Sequence, residues 1–316
     1  MKILVLLGIL AVLLTLLEGA LRLGYGFGNP PLYVADDHIG YMLAPNQRLK
    51  RFGNLIAINE YGMRADTISP LPSENTLRLF LLGDSLANGN WWTDQNDILS
   101  VQVAQHVRPA LPAPYEYIEP INASANSWGP RNELAYLQRY GTFGAQVLVL
   151  LLNTDDLFGT QPTPIQVGRD RSYPNQKPML AMTEILARFQ KQPPVPGLKA
   201  VQSEGGDRVG KNLAAINSIQ KHASATGSLF ILVLSPLKRE LPGPRDYELT
   251  ARQRLQDWAR DTNVVYIDLL STYRNYLPDP EQLYRDHIHL SPAGNHLLAQ
   301  KVAVAINTHI NRSYLQ

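Results

Sequence analysis

Short apolar runs alternate with longer amphipathic stretches through most of the chain. The continuous apolar run at residues 147–152 is typical of a parallel strand buried on both faces. The stretches between the runs repeat apolar residues at helical spacing. Strands that alternate with helices predict a parallel sheet covered on both faces. The predicted strands are residues 77–82, 115–121, 147–152, 228–234 and 264–269, and the predicted helices are residues 100–108, 131–140, 208–225, 248–261 and 292–308.

The chain opens with a different pattern, an unbroken apolar run over residues 3–17. A bilayer span needs about 20 residues, and the run reaches that length only when it continues past Glu18 and Arg22, whose charges can lie at the membrane interface. The small residues expected at a signal-peptide cleavage site are poorly matched here. We therefore predict a signal anchor in residues 1–24, with a cleaved signal peptide and a buried core helix as alternatives.

Two other regions break the alternation. Residues 25–75 are rich in glycine, proline and turn formers, and we interpret them as a linker and a lead-in segment that packs on the main domain. The main domain is predicted at residues 76–316. Residues 158–206, rich in proline, glycine, glutamine and arginine, hold one helical piece at 180–189. Insertions after strand ends in such sheets commonly shape the binding site, and we expect the same of this one.

The composition narrows the function. The chain has no cysteine, which excludes disulfides, thiolate catalysis and cysteine zinc sites. The net charge is only +2 and the basic residues are scattered, so a nucleic-acid partner is not expected. The apolar fraction of 45% is enough for a sizeable core. No cofactor and no metal is implied.

A candidate nucleophile follows the first predicted strand of the sheet, in the sequence Gly83-Asp84-Ser85-Leu86. A strand-to-helix turn presents a serine hydroxyl at the carboxyl edge of a parallel sheet, where ligands bind. The N-terminus of the next helix favours a developing negative charge. Ser85 is therefore a candidate nucleophile, and a serine that only caps a helix is the alternative.

A candidate base lies just before the last predicted helix, and a serine nucleophile needs one. Asp286 precedes His289 by three residues in one loop, so its carboxylate can orient the imidazole. His287 is the alternative base, and both histidines can also be loop residues without a role. A metal site of His287, His289 and His296 is a further alternative, although its spacing matches no usual zinc motif.

The two motifs, in this order, resemble those of the GDSL/SGNH hydrolase family over about residues 78–308. The resemblance implies a flavodoxin-like three-layer α/β/α sandwich with a five-stranded parallel sheet, here preceded by an N-terminal hydrophobic helix. It implies ester hydrolysis through a covalent acyl-serine. It also implies an oxyanion hole made by the N–H of the nucleophile, a glycine N–H and an asparagine side chain.

The sequence departs from that family pattern at the oxyanion positions. Ser127 takes the place of the usual glycine, with Gly129 two residues later. Asp155 takes the place of the usual asparagine, and an ionised carboxylate cannot donate a hydrogen bond to an oxyanion. Three replacements are open: the Asn153 amide, the Asn126 amide, or a partly buried Asp155 that stays protonated. A purely structural carboxylate at Asp155 is the alternative.

These features predict a serine esterase of the cell envelope, anchored to the cytoplasmic membrane with its catalytic domain outside, or secreted if the N-terminus is cleaved. Ser85 is the expected nucleophile, His289 its base and Asp286 the group that orients His289. The expected oxyanion hole combines the N–H of Ser85 with Ser127, Gly129, Asn153 or Asp155.

The expected substrate is an O-acyl group, in the first place O-acetyl, of an envelope or exported polysaccharide. Trp91, Trp92 and Trp128 are candidates to stack on a sugar ring, although packing is the commoner role of such residues. Acyl transfer through the same acyl-serine is one alternative function. A catalytically inactive glycan-binding or assembly protein, suggested by Asp155, is another, and an envelope lipase or thioesterase is a third.

Overall fold

The computed structural model describes the backbone of residues 1–313 and the side chains of residues 1–310, so the predicted domain end at residue 316 lies outside the described residues. The strands are β1 (Tyr33–Asp36), β2 (Gly40–Leu43), β3 (Gln47–Arg51), β4 (Asn54–Ile58), β5 (Thr76–Gly83), β6 (Tyr117–Ser124), β7 (Val147–Asn153), β8 (Leu229–Ser235) and β9 (Val265–Asp268). The helices are α1 (Lys2–Tyr25), α2 (Ser85–Asn88), α3 (Leu99–Val107), α4 (Pro130–Tyr140), α5 (Ala181–Phe189), α6 (Leu198–Gln202), α7 (Arg208–Ala225), α8 (Asp246–Asp261), α9 (Leu270–Arg274) and α10 (Pro292–Ser313).

The five predicted strands form one parallel sheet in the order β6-β5-β7-β8-β9. Alternate residues of β5 enter different cores, with Phe80 and Leu82 on one side and Leu79 and Leu81 on the other. Helices α4, α7 and α8 cover the first face, and α3 and α10 cover the second. The predicted flavodoxin-like three-layer sandwich is therefore confirmed.

The strand order determines where a site can form. β6 and β7 both follow β5 in sequence but lie on opposite sides of it, so the chain changes direction across the sheet at β5. In open α/β sheets such a switch leaves a crevice at the carboxyl ends of the strands. Residues that follow β5, β6 and β7 meet at this crevice.

The lead-in segment contains two antiparallel hairpins, β1-β2 and β3-β4, which the sequence analysis did not predict. All four residues of β2 are buried. Tyr41 and Ile58 of the hairpins lie in the same apolar cluster as Tyr136 of α4 and Phe80 of β5. The lead-in thus packs against the side of the sandwich that carries α4.

The guanidinium of Arg64 joins the lead-in to the loop that follows α2. Its Nη1 donates to the carbonyl oxygens of Asn88 at 2.6 Å and Asn90 at 2.7 Å, and its Nη2 donates to that of Thr93. The side chain is 1% exposed, and burial lowers the pKa of Arg64 to about 10. One buried cation therefore holds together a loop whose regular structure is a single 3₁₀ turn at Asn90–Trp92.

The first helix, α1, is long and apolar enough to cross a membrane by length and composition, and it is the one such helix within residues 1–313. None of its residues is buried by the rest of the protein. The region predicted as an insertion holds α5 and α6, and the start of α5 contacts the end of α1.

Replacing Arg64 with alanine should lower the free energy of unfolding by about 3 kcal/mol, because one buried and two partly buried carbonyl groups lose a charged donor. Urea denaturation measures this change. The control is Arg48→Ala, an exposed arginine of β3, whose loss should change the stability by less than about 0.5 kcal/mol. Equal losses in the two variants would contradict the role given to Arg64.

Candidate active site

Ser85 lies at the switch point, as the first residue of α2 directly after β5. The Asp84 carboxylate caps this helix, accepting the N–H of Leu86 at 2.8 Å. A Cβ atom on Gly83 would approach the carbonyl oxygen of Leu151 to 2.8 Å, so only glycine fits where the strand turns. The turn brings the Ser85 side chain to the edge of the crevice with 9% of the residue exposed.

His289 reaches Ser85 from the loop before α10. Its Nε2 is 2.9 Å from Ser85 Oγ, and its Nδ1 is 2.8 Å from Asp286 Oδ2. Asp286 Oδ1 accepts the N–H groups of Ile288 and His289 at 2.9 and 2.8 Å. Partial burial opposes ionisation of Asp286, but these donors outweigh it and hold its pKa below the ordinary value. The carboxylate therefore favours the tautomer with a proton on Nδ1, which leaves Nε2 free to accept the serine proton.

The other histidines are placed differently. The His287 side chain is 85% exposed, and its Nδ1 is 3.9 Å from Asp286 Oδ1. His296 lies in α10, where its Nδ1 is 3.3 Å from Nε2 of His106. The geometry therefore brings His289 to Ser85, and the three histidines considered as metal ligands do not form one cluster.

Two residues of the predicted oxyanion hole follow β6. Ser127 is exposed and adopts a left-handed φ of 57°, a conformation that glycine adopts without strain. Its N–H pairs with no acceptor within the described residues. The N–H of Gly129, in contrast, donates to the Asn132 side chain at 3.2 Å. Ser127 is thus the available backbone donor, and Gly129 is not.

The remaining oxyanion candidates, at the end of β7, do not aim a donor into the crevice. Asn153 Nδ2 donates to Asp84 Oδ2 at 3.0 Å and to Asp156 Oδ2 at 2.8 Å, so both amide hydrogens are used. The Asp155 side chain is 58% exposed and lies 3.3 Å from Arg239. The expectation of a partly buried Asp155 is therefore wrong, and the buried carboxyl is that of Asp156, which is 7% exposed.

A cluster of buried carboxyl groups lies beneath the nucleophile. Burial raises the pKa of Asp84 to about 6. Burial and the nearby Asp84 charge together raise the pKa values of Asp156 and Glu133 well above the ordinary range. Glu133 is fully buried, and neither of its carboxyl oxygens has a hydrogen-bond partner within the described residues. The cluster therefore favours bound protons directly below Ser85.

Two cavities meet at His289. A polar cavity of about 580 Å³ is lined by Ser85, Ser127 and Asp156 among others. A more apolar cavity of about 690 Å³ lies between the lead-in and the insertion, and Trp91 and Trp92 line it. The Ser85–His289 pair thus lies where two chemically different spaces join.

The three tryptophans proposed to stack on sugars separate into two groups. The Trp92 ring centre is 5.0 Å from that of His289, and Trp91 lies next to it. Trp128 is 1% exposed, and its indole N–H donates to the carbonyl of Tyr41 at 2.7 Å. Trp128 is therefore a packing residue, and Trp91 and Trp92 are better placed to contact a ligand.

Sequence reasoning missed the part that Arg64 plays beside the nucleophile loop. A signal was present in the stretch that ends at Arg64. Asn59 Oδ1 accepts the N–H groups of Tyr61 and Met63, and Gly62 adopts a positive φ of 72°. The stretch is a tight turn that aims Arg64 at the loop carrying Asn88 and Asn90.

Comparison with known proteins gives a family match. The model of the GDSL-like Lipase/Acylhydrolase family matches residues 81–297. An acetyl xylan esterase, AlAXEase, is similar in structure at 13% identity and a TM-score of 0.48, over 73% of this chain and 100% of that one. A lipase/acylhydrolase from Enterococcus faecalis aligns at 15% identity and a TM-score of 0.45, over 73% and 96%. A catalytic mutant of the acetylxylan esterase Axe2 from Geobacillus stearothermophilus aligns at 13% identity and a TM-score of 0.46, over 76% and 97%. No curated protein matches the sequence.

Replacing Glu133 with glutamine should stabilise the protein increasingly as the pH rises. The folded wild type keeps the Glu133 proton at pH values where the unfolded chain has released it, so its stability falls as the pH rises above the ordinary glutamate value of 4.5. The variant lacks this loss. Urea denaturation at about pH 5 and about pH 8 should show a difference that grows in favour of the variant. The control is Glu74→Gln at an exposed site. A stability difference that stays constant with pH, or an equal effect of the control, would contradict the raised pKa of Glu133.

Proposed function

The chain belongs to the GDSL-like lipase/acylhydrolase family and is a serine ester hydrolase, and on that premise we propose that Ser85, Asp286 and His289 are its catalytic residues. The observation that carries this proposal is the pair of short contacts on the His289 imidazole, 2.9 Å to Ser85 Oγ and 2.8 Å to Asp286 Oδ2. The imidazole can accept a proton from one side while a carboxylate stabilises the resulting cation from the other.

The reaction proceeds in two halves. Ser85 Oγ attacks the ester carbonyl carbon while its proton passes to Nε2 of His289, and the tetrahedral intermediate carries the negative charge on oxygen. Collapse breaks the ester C–O bond, and His289 returns the proton to the leaving alcohol. Water then attacks the acyl-serine with His289 again as the base, which releases the acid and restores Ser85.

The oxyanion accepts hydrogen bonds from the N–H groups of Ser85 and Ser127. Ser85 begins α2, so its N–H has no acceptor within the helix and lies next to the Asp84 carboxylate. The Asn153 amide serves Asp84 and Asp156 instead, so the hole lacks the side-chain donor that the end of β7 would supply. One missing donor typically costs about 100- to 1000-fold in rate, so we expect slow turnover.

The substrate is an O-acyl group, in the first place O-acetyl, on an envelope or exported polysaccharide, and the enzyme acts outside the cytoplasmic membrane with α1 as its anchor. The polar cavity beside Ser85 suits an alcohol rich in hydroxyl groups. Trp91 and Trp92 offer aromatic faces at the neighbouring cavity. The uncovered apolar surface of α1 supports a location in a membrane.

A second candidate function is acyl transfer to a sugar hydroxyl. It is favoured by the junction of two cavities at His289, because donor and acceptor can occupy different spaces on either side of the acyl-serine. The catalytic residues would be the same. A catalytically inactive glycan-binding protein is the remaining alternative, supported by the engaged Asn153 amide.

A fluorophosphonate probe should label the full-length wild type at Ser85, and Ser85→Ala should abolish the labelling. His289→Ala should slow it on the order of 10⁴-fold, because the serine loses its base. Intact-mass analysis over time measures both effects. His287→Ala is the matched control and should label like the wild type, because this neighbouring histidine points into solvent. A folded wild type that takes up no probe would favour the inactive binding protein.

Hydrolysis and transfer differ in how they respond to an acceptor. With an O-acetylated glycan as donor, we expect the protein to release acetate at the same rate with or without an unacetylated oligosaccharide. Acetate release and the mass of the oligosaccharide are both measured, and Ser85→Ala is the blank. Acetylated oligosaccharide formed at the expense of acetate would make the protein a transferase.

A further inference from the structure

Helix α5 has two faces with different surroundings. Thr183, Glu184 and Arg188 belong to the face that lines the apolar cavity. Met182, Ile185, Leu186 and Phe189 recur at helical spacing on another face. Leu186 is 60% exposed and Phe189 is 84% exposed. A helix that closes a cavity with one face therefore leaves an apolar stripe uncovered on another.

Polar groups fix α5 to the end of α1. The Glu18 carboxylate accepts the N–H groups of Ala181 and Met182 at 2.6 and 3.2 Å. Arg22 pairs with Glu18 at 2.6 Å and donates to the carbonyl of Met179 at 2.7 Å. The two charges that interrupt the apolar N-terminus are thus the attachment points of α5, and they set its height along α1.

That height places α5 at the edge of a bilayer. The 15 residues from Ile3 to Leu17 rise only about 22 Å, whereas the hydrocarbon core is about 30 Å thick. The last turns of α1, which carry Glu18 and Arg22, must therefore also enter the boundary between acyl chains and headgroups. Because α5 begins on Glu18, its apolar stripe lies at the same boundary.

Aromatic and basic residues surround the same end of α1. Tyr25, Phe27 and Phe52 form a ring cluster with centroid distances of 5.3 to 6.3 Å, and Tyr25 is 52% exposed. Aromatic rings of this kind concentrate at membrane interfaces. Lys177 and Lys191 are exposed basic residues in the segments that flank α5. Their charge complements that of anionic lipid headgroups.

We propose that α5 is a second membrane contact, whose stripe of Met182, Ile185, Leu186 and Phe189 enters the outer leaflet of a bilayer containing anionic lipid. This rests on the proposed anchoring by α1. Since the opposite face of α5 lines the apolar cavity that reaches His289, the contact turns that cavity towards the membrane surface. The enzyme then meets esters that are carried at that surface.

The test uses full-length protein in vesicles of phosphatidylcholine and phosphatidylglycerol. Because the chain has no cysteine, single-cysteine variants can carry one environment-sensitive fluorophore each. Phe189→Cys reports on α5. Leu10→Cys, at mid-height of α1, is the reference inside the membrane. Val304→Cys is 64% exposed on α10, on the opposite face of the sheet from the lead-in, and is the aqueous control.

We expect brominated lipids to quench the fluorophore at residue 189 as well as at residue 10, and to leave that at residue 304 unchanged. The depth at residue 189 should be about 5–10 Å below the headgroup surface. Quenching at residue 10 without quenching at residue 189 would overturn the α5 contact and leave the anchor intact. No quenching at residue 10 would overturn the anchor and the α5 contact together, without bearing on the ester hydrolase activity.

Discussion

The side-chain amide of Asn153 joins the ends of the two central strands, and the active site depends on it. Asp84 directly follows β5 and Asn153 ends β7, and the amide donates to the carboxyl groups of Asp84 and Asp156 at 3.0 and 2.8 Å. Asp84 in turn caps the helix that begins at Ser85. One amide therefore holds the turn that carries Ser85 against the neighbouring strand β7. It does so among carboxyl groups whose ionised form is disfavoured by burial. The same bonding withdraws the amide from the oxyanion.

The opposite side of the nucleophile loop is held by a different kind of group. Arg64 approaches from the lead-in and satisfies carbonyl oxygens of the loop with a buried cation, so the segment before the sandwich completes the site. Acids thus lie beneath Ser85 and a guanidinium lies beside its loop. Among the residues that the structure describes, the hydroxyl itself meets only His289, at 2.9 Å, and the carboxylate of Asp84, at 3.5 Å.

Much of this arrangement is predictable from sequence, because its signals are local. β7 and β8 are continuous apolar runs, β5 is an apolar run broken only by Arg78, and Ser85 and the Asp286–His289 pair each lie in one short motif. The hairpins of the lead-in escaped prediction because their strands have four or five residues and are defined by contacts with distant helices. The site at the end of β7 was misjudged for another reason. The alternation of side chains along a strand predicts which face a residue lies on only as far as the strand continues. A 3₁₀ turn over Thr154–Phe158 starts immediately after Asn153. This turn points Asp155 outward and Asp156 inward.

The connection between α1 and the body has a mechanical consequence. The N–H of Phe27 bonds back to the carbonyl of Leu21, and that of Gly28 donates to Glu184 of α5, so the chain leaves the helix without a free tether. An enzyme on a long flexible linker samples a hemisphere whose radius grows with the linker. With the proposed anchoring by α1, this one instead works at a fixed height and a fixed tilt. Under that proposal its encounters are governed by lateral diffusion in two dimensions, and the proposed glycan substrate has to come to the enzyme when it lies more than a molecular diameter from the bilayer.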